Sequence, residues 1–193
     1  MPPRARVVGV VLAAGAGRRA GGPKALRVDP DQTSWLVRSA AVLAEGGCDD
    51  VIIVLGAAAD QARAHLRTTD QELTVVEAPD WSDGMSASLR AGLQAALTSP
   101  ADAILIHLVD LPDVTAAVVR RVLDSWPVPD GLTRATYAGT PGHPVLLGRD
   151  HAEPLLAELT GDHGAQAYLE RHGVRAVECG DLATGRDHDQ PPG

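Results

Sequence analysis

Apolar residues follow two rhythms along this chain. Residues 7–12, 51–55, 73–76 and 103–109 are near-continuous runs of valine, isoleucine and leucine, each bounded by polar or turn-forming residues. Such runs predict parallel strands covered on both faces, because a half-exposed strand alternates apolar with polar positions. Between them, apolar positions recur every three or four residues, the period of a helix. Thr33 or Ser34 can cap a helix that runs to Glu45 and stops at Gly46-Gly47, and Met85, Leu89, Leu93 and Ala96 make the stripe of a second. Thr115 can cap a third, buried through Val118, Val119, Val122 and Leu123, with Pro127 and Pro129 marking its exit. Strands alternating with helices predict an α/β fold with helices covering the sheet. Beyond about residue 130 the rhythm weakens, leaving short strands at 134–137 and 144–147 and a helical stretch at 164–171. Without an internal repeat or long linker, the pattern predicts one domain over residues 1–189 and a loose tail at 190–193.

Composition narrows the class. A chain of 193 residues that is 45% hydrophobic and 22% charged can build one core. At this length about 70% of the unfolded surface is buried on folding, so neither disulfides nor structural metal are required. Cys48 and Cys179 lack metal-ligand spacing and read as small apolar fillers in a reducing compartment. The opening arginines and apolar run lead into a glycine-rich loop instead of a cleavage site, and no run nears the ~20 apolar residues of a membrane span. A cytoplasmic protein without membrane attachment is expected, as a monomer or weak homodimer. The net charge of −8 opposes loose association with nucleic acid, so any anionic ligand needs a local basic site. Of the 17 basic residues only Lys24 is a lysine, which suggests a position that needs a compact ammonium and not a planar guanidinium.

That lysine closes the segment 12–24, where four glycines and three cations follow the first strand. Glycines let backbone N–H groups approach an oxyanion, and cations add charge-assisted hydrogen bonds, so the segment is a phosphate cradle by composition. A Walker A loop needs a hydroxyl residue after its lysine, and Ala25 stands there. A dinucleotide fingerprint is satisfied in letters by Gly15, Gly17 and Ala20, but it should open a helix, which Gly21-Gly22-Pro23 would break. Asp110 directly follows the apolar run of the fourth predicted strand, the end at which open α/β sheets bind ligands. His107, inside that run, is expected to be packed and not catalytic.

The segment LAAGAGRRAGGPKAL, read together with Trp81-Ser-Asp-Gly84-Met-Ser86, Asp110-Leu-Pro112, Gly142-His143-Pro144, Gly161-Asp162 and Asp187-His-Asp189-Gln-Pro191, resembles the molybdenum cofactor cytidylyltransferase and guanylyltransferase family. Ala20 departs from the family's usual methionine. The resemblance implies a three-layer, Rossmann-like nucleotidyltransferase fold of the GT-A type, with a mostly parallel mixed sheet and helices on both faces. It also implies transfer of a nucleotidyl group from a nucleoside triphosphate to a phosphorylated, pterin-type acceptor. Leu12, Ala13, Ala14, Gly15, Gly17, Arg19, Lys24, Gly84, Ser86 and Asp110 would hold the nucleotide, with Arg19, Lys24 and Asp110 catalytic. Asp110 and Asp189 would hold Mg²⁺, and His143 and Asp162 would shape the acceptor pocket. Ala13-Ala14-Gly15 and Pro23 before Lys24 resemble the cytidylyl branch, which favours CTP. A guanylyl or sugar-phosphate transferase, a nucleotide-binding regulatory module and an NAD(P)-binding oxidoreductase remain alternatives.

Overall fold

The computed structural model describes residues 4–18, 21–126 and 130–188. Its strands are β1 (Val7–Ala13), β2 (Asp50–Leu55), β3 (Thr74–Glu77), β4 (Ala103–Leu108), β5 (Leu132–Tyr137), β6 (Thr140–Gly148) and β7 (Arg175–Glu178). Its helices are α1 (Trp35–Gly46), α2 (Ala59–Leu66), α3 (Met85–Leu97), α4 (Ala116–Asp124), α5 (Ala152–Glu158) and α6 (Gln166–Arg171). The strands form one sheet in the order β3-β2-β1-β4-β6-β5-β7. Every neighbouring pair is parallel except the two that involve β6. The chain's pattern predicts the α/β class with parallel strands, and the resemblance implies the mixed, mostly parallel sheet that is found.

Alternate residues of each strand feed two cores. Val7, Val11, Ile53, Leu55 and Leu105 face α1, α2 and α4, whereas Val8, Val10, Ile52, Val54, Ile104 and Ile106 face α3, α5 and α6. Each fully buried valine, leucine or isoleucine contributes about 1.5–3 kcal/mol before the entropy of ordering is subtracted. That double coverage explains why the central strands read as unbroken apolar runs. β3 is different: it lies at the sheet edge, and Thr74 and Glu77 are exposed.

Topology then fixes where a ligand can enter. From β1 the chain steps outward to β2 and β3 through α1 and α2 on one face, then returns through α3 on the other face to β4, beside β1. The loops leaving β1 and β4 therefore diverge to opposite sides, opening a crevice at the carboxyl ends of these two strands.

Several local features differ from expectation. Ser34 and Thr115 occupy the positions preceding α1 and α4, but neither side chain bonds the helix. Met85 is 42% exposed and does not join the buried stripe of Leu89, Leu93 and Ala96. The segment after β7 is tied down as far as His188. Arg121 pairs with Asp181, the Thr184 N–H and hydroxyl both donate to Asp113 at 2.6 Å, and the His188 N–H donates to the Asp110 carbonyl at 3.0 Å. The predicted tail at 190–193 lies outside the described residues.

Candidate active site

The β1 loop and the β4 end are joined by one contact. Pro23 starts the short 3₁₀ turn Lys24–Leu26, which aims Lys24 back across the crevice. Its Nζ lies 2.5 Å from Oδ2 of Asp110. Both side chains are largely withdrawn from water, at 18% and 14% exposure, so the pair sits in a medium where charge interactions are stronger than at the surface. The Val109 N–H donates to the Leu12 carbonyl at 3.3 Å and locks the two strand ends together beneath it.

Around the pair opens an outer chamber of 510 Å³. Leu12, Ala13, Ala14, Gly15, Gly17, Lys24, Gly84 and Asp110 all line it, so eight of the residues expected to hold the nucleotide share one cavity. Ser86 is not among them. It is buried, its N–H donates to the Gly161 carbonyl at 3.2 Å, and it lines a separate groove with Asp80, Asp83 and Arg90. Ser88, further along α3, faces the outer chamber instead. Arg19 and Asp189 lie outside the described residues.

The loop's glycines are needed for backbone reasons as well as for approach. Gly17 has φ +58°, and its amide neighbourhood is closed by a hydrogen bond from Gly22 N to Gly17 O at 3.1 Å; a Cβ at Gly17 would meet the Gly22 oxygen at 1.9 Å. Gly84 has φ +116°, and a Cβ there would stand 2.1 Å from Oδ1 of Asp162. Gly84→Ala is therefore expected to add about 1–3 kcal/mol of backbone strain and push the Asp162 loop outward. A melting temperature and substrate KM indistinguishable from the parent protein would refute this close packing.

An inner chamber of 250 Å³ adjoins the first, and Leu12, Met85, Leu108 and Asp162 line both. His143 and Asp162, expected at the acceptor pocket, both line the inner chamber. Tyr137 fixes His143 by donating its hydroxyl to the His143 carbonyl at 2.6 Å. Burial lowers the His143 pKa to about 4, and the nearby Arg134 guanidinium acts in the same direction. His107 is 1% exposed and packed, as its place inside a strand predicts. Burial lowers its pKa to about 3, assisted by His143 and Arg38.

Besides Ser88, three polar or aromatic lining residues escaped the sequence reading of single positions. Trp81 lies in the outer chamber, and Arg134 and Gln166 in the inner one. Trp81 had only motif membership to mark it. Arg134 carried a usable signal, a cation at a position where strand alternation points into a core.

Among the described residues, no three His, Cys, Asp or Glu side chains group as a metal cluster. A divalent hard cation does not need one. Mg²⁺ uses one or two carboxylates and completes its shell with water and substrate phosphate, so Asp110 on the chamber lining is a chemically adequate protein donor.

A family description, "MobA-like NTP transferase domain", matches residues 9–177. The chain belongs to this family. It is thus an enzyme of the nucleotidyltransferase class, whose members bind a nucleoside triphosphate and an acceptor. A protein of Paenarthrobacter nicotinovorans named nicotine blue oxidoreductase is 38% identical over 196 aligned residues, covering 95% of this chain and 92% of that one. Escherichia coli molybdenum cofactor cytidylyltransferase is 29% identical over 104 residues, covering 53% of this chain and 50% of the relative. The crystal structure of Rv0371c from Mycobacterium tuberculosis superposes with a TM-score of 0.78 at 32% identity, covering 97% of this chain and 95% of that one. The same mycobacterial protein has also been solved in complex with manganese. No described helix is long and apolar enough to cross a membrane.

Proposed function

We propose that this MobA-like enzyme transfers CMP from CTP to a phosphorylated, pterin-type acceptor with Mg²⁺, releasing pyrophosphate. The observation that carries the reading is the meeting of Lys24 and Asp110 at 2.5 Å on the lining of the glycine-loop chamber. Displacement at the α-phosphorus needs reactants held in line and charge stabilised on the leaving pyrophosphate, and no covalent protein nucleophile. Gly15 and Gly17 would direct backbone N–H groups at the β- and γ-phosphates. Lys24, with Arg19 by family position, would neutralise the charge that develops as pyrophosphate departs. Mg²⁺, held by Asp110 and by Asp189 as the resemblance assigns, would supply further positive charge to the phosphates.

CTP is favoured by the letters Ala13-Ala14-Gly15. Ala14 lines the outer chamber, and its carbonyl accepts from the Ala57 N–H at 2.9 Å, which fixes the strand end beside the space left for a base. Calorimetry with CTP, GTP, ATP and UTP is expected to rank CTP first, and tighter GTP binding would reassign the enzyme to guanylyl transfer. Pyrophosphate release from CTP and molybdopterin tests the reaction itself; no release with any of the four nucleotides would remove the transferase reading.

The relationship to a protein named nicotine blue oxidoreductase favours a second reading, reduction of a planar heteroaromatic compound by a nicotinamide dinucleotide. Consumption of NADH or NADPH with such a compound, in the presence of chelator, would select it.

A further inference from the structure

Among the described residues, Arg134 is a buried charge that its surroundings leave poorly compensated. It stands on β5, where Leu132 and Arg134 face the same core and apolar side chains are the rule. Its residue exposure is 6%, and its Nε has no hydrogen-bond partner among the described residues. The two remaining nitrogens reach only neutral acceptors at long range, the Gln166 Oε1 at 3.3 Å and the Gly142 carbonyl at 3.4 Å. Glu170 acts on it through space but engages Gln166 and not the guanidinium, and Asp162 lines the same chamber without a hydrogen bond to it. Burying a cation in this way costs several kcal/mol unless something compensates. Burial indeed lowers the Arg134 pKa, with Glu170 opposing the shift.

The guanidinium lines the inner chamber, whose other walls are mainly aliphatic, among them Leu89, Val145, Leu147 and Leu169. It takes no part in lining the outer chamber, where Lys24 and Asp110 meet. A ligand seated between the two chambers would thus present one end to the reacting phosphates and its other end to Arg134. We propose that Arg134 selects an acceptor with an apolar body and an anionic oxygen group at the end remote from its reacting phosphate, which departs from the neutral, polar ring of a pterin and so replaces that part of the proposed function. This rests on the reading of the inner chamber as the acceptor's site. The anionic group satisfies the donors that the protein leaves unpaired, and the aliphatic walls accept the ring, as in pockets where a few polar groups orient an otherwise apolar ligand.

The test is equilibrium binding without nucleotide or metal, using 2-naphthoate, 2-naphthyl phosphate and the neutral isostere 2-naphthamide as probes. The parent protein should bind at least one anion about tenfold more tightly than the amide, the size expected of one charge-assisted contact. Preference for the naphthoate assigns a carboxylate, and preference for the naphthyl phosphate assigns a phosphate. Arg134→Met should abolish the discrimination while still binding the amide, and Arg134→Lys should restore part of it. Ala165→Trp, which fills the same chamber from its loop side and leaves Arg134 in place, should block all three probes. Equal binding of amide and anions, preference surviving in Arg134→Met, binding surviving in Ala165→Trp, or no binding at all would overturn the proposal. Since no transfer is measured, failure of pyrophosphate release would remove the transferase reading and leave this result standing.

Discussion

Lys24→Ala is expected to slow turnover by about 100- to 1,000-fold, the equivalent of about 3–4 kcal/mol of transition-state stabilisation, while the protein remains folded. The ammonium lies on the chamber lining, where a triphosphate's charge would meet it. Lys24→Arg should rescue little, because a planar fork cannot reproduce a compact point charge in a space built around the Asp110 carboxylate. The ion pair adds a second expectation with opposite signs. Lys24 occupies an oxygen of the carboxylate that the reading assigns to metal. Lys24→Ala should therefore bind Mn²⁺ more tightly than the parent in the absence of nucleotide, and Asp110→Asn more weakly, as read by titration calorimetry. Equal weakening in both variants would show that the pair serves only to hold the loop on the sheet.

The ability to read these elements in the sequence depended on how each is buried. β1, β2 and β4 were legible because both faces are covered, so the chain shows no polar interruption except His107. β3 looked the same in letters, yet it is an edge strand, since two adjacent valines, Val75 and Val76, carry no information about which neighbour is missing. α2 was illegible: of its residues only Ala59 and Ala62 are buried, and alanine marks no stripe. β7 places only Val177 in the core and joins through backbone pairing with β5, which leaves little trace in side-chain pattern. α5 carries Pro154 in its first turn, where the missing N–H costs nothing, but the letter reads as a breaker.

The site divides along the same line. Lys24, Gly15, Gly17 and Asp110 lie close to the ends of strands that the pattern locates, so a local reading places them on one crevice. Arg134 and Gln166 reach the inner chamber from β5 and α6, more than a hundred residues beyond the glycine loop, and only the folded sheet brings them there. The exchange of Ser86 for Ser88 is a matter of helical phase. Two residues rotate a side chain by about 200° around the axis, which turns one serine to the Gly161 loop and the other to the chamber.

The protein should lose stability between pH 6.5 and about 4.5, above the range in which its carboxylates protonate. His107 titrates near 3 in the folded protein against 6.5 in its ordinary state, because burial and the neighbouring His143 and Arg38 disfavour the cation. A depressed folded pKa means that the unfolded chain binds a proton that the folded chain refuses. The stabilisation is complete above 6.5 and falls as pH drops toward 3, by up to about 1.4 kcal/mol per pH unit for one histidine. His143, at about 4, adds to the same window, but it lines the open inner chamber and water screens its contribution. Glu178 acts in a separate, more acidic window: its carboxylate accepts from the Ala138, Gly139 and Gly180 N–H groups and the Thr136 hydroxyl, which lower its pKa to about 2. His107→Leu isolates the first window, because it removes the buried Nδ1, which lacks a partner among the described residues, together with the proton that the core rejects. Urea unfolding at pH 7 and pH 4.5 should show the parent losing about 2 kcal/mol more than His107→Leu between the two conditions. An identical loss in both proteins would place the acid sensitivity elsewhere and show that His107 is protonated in the folded core.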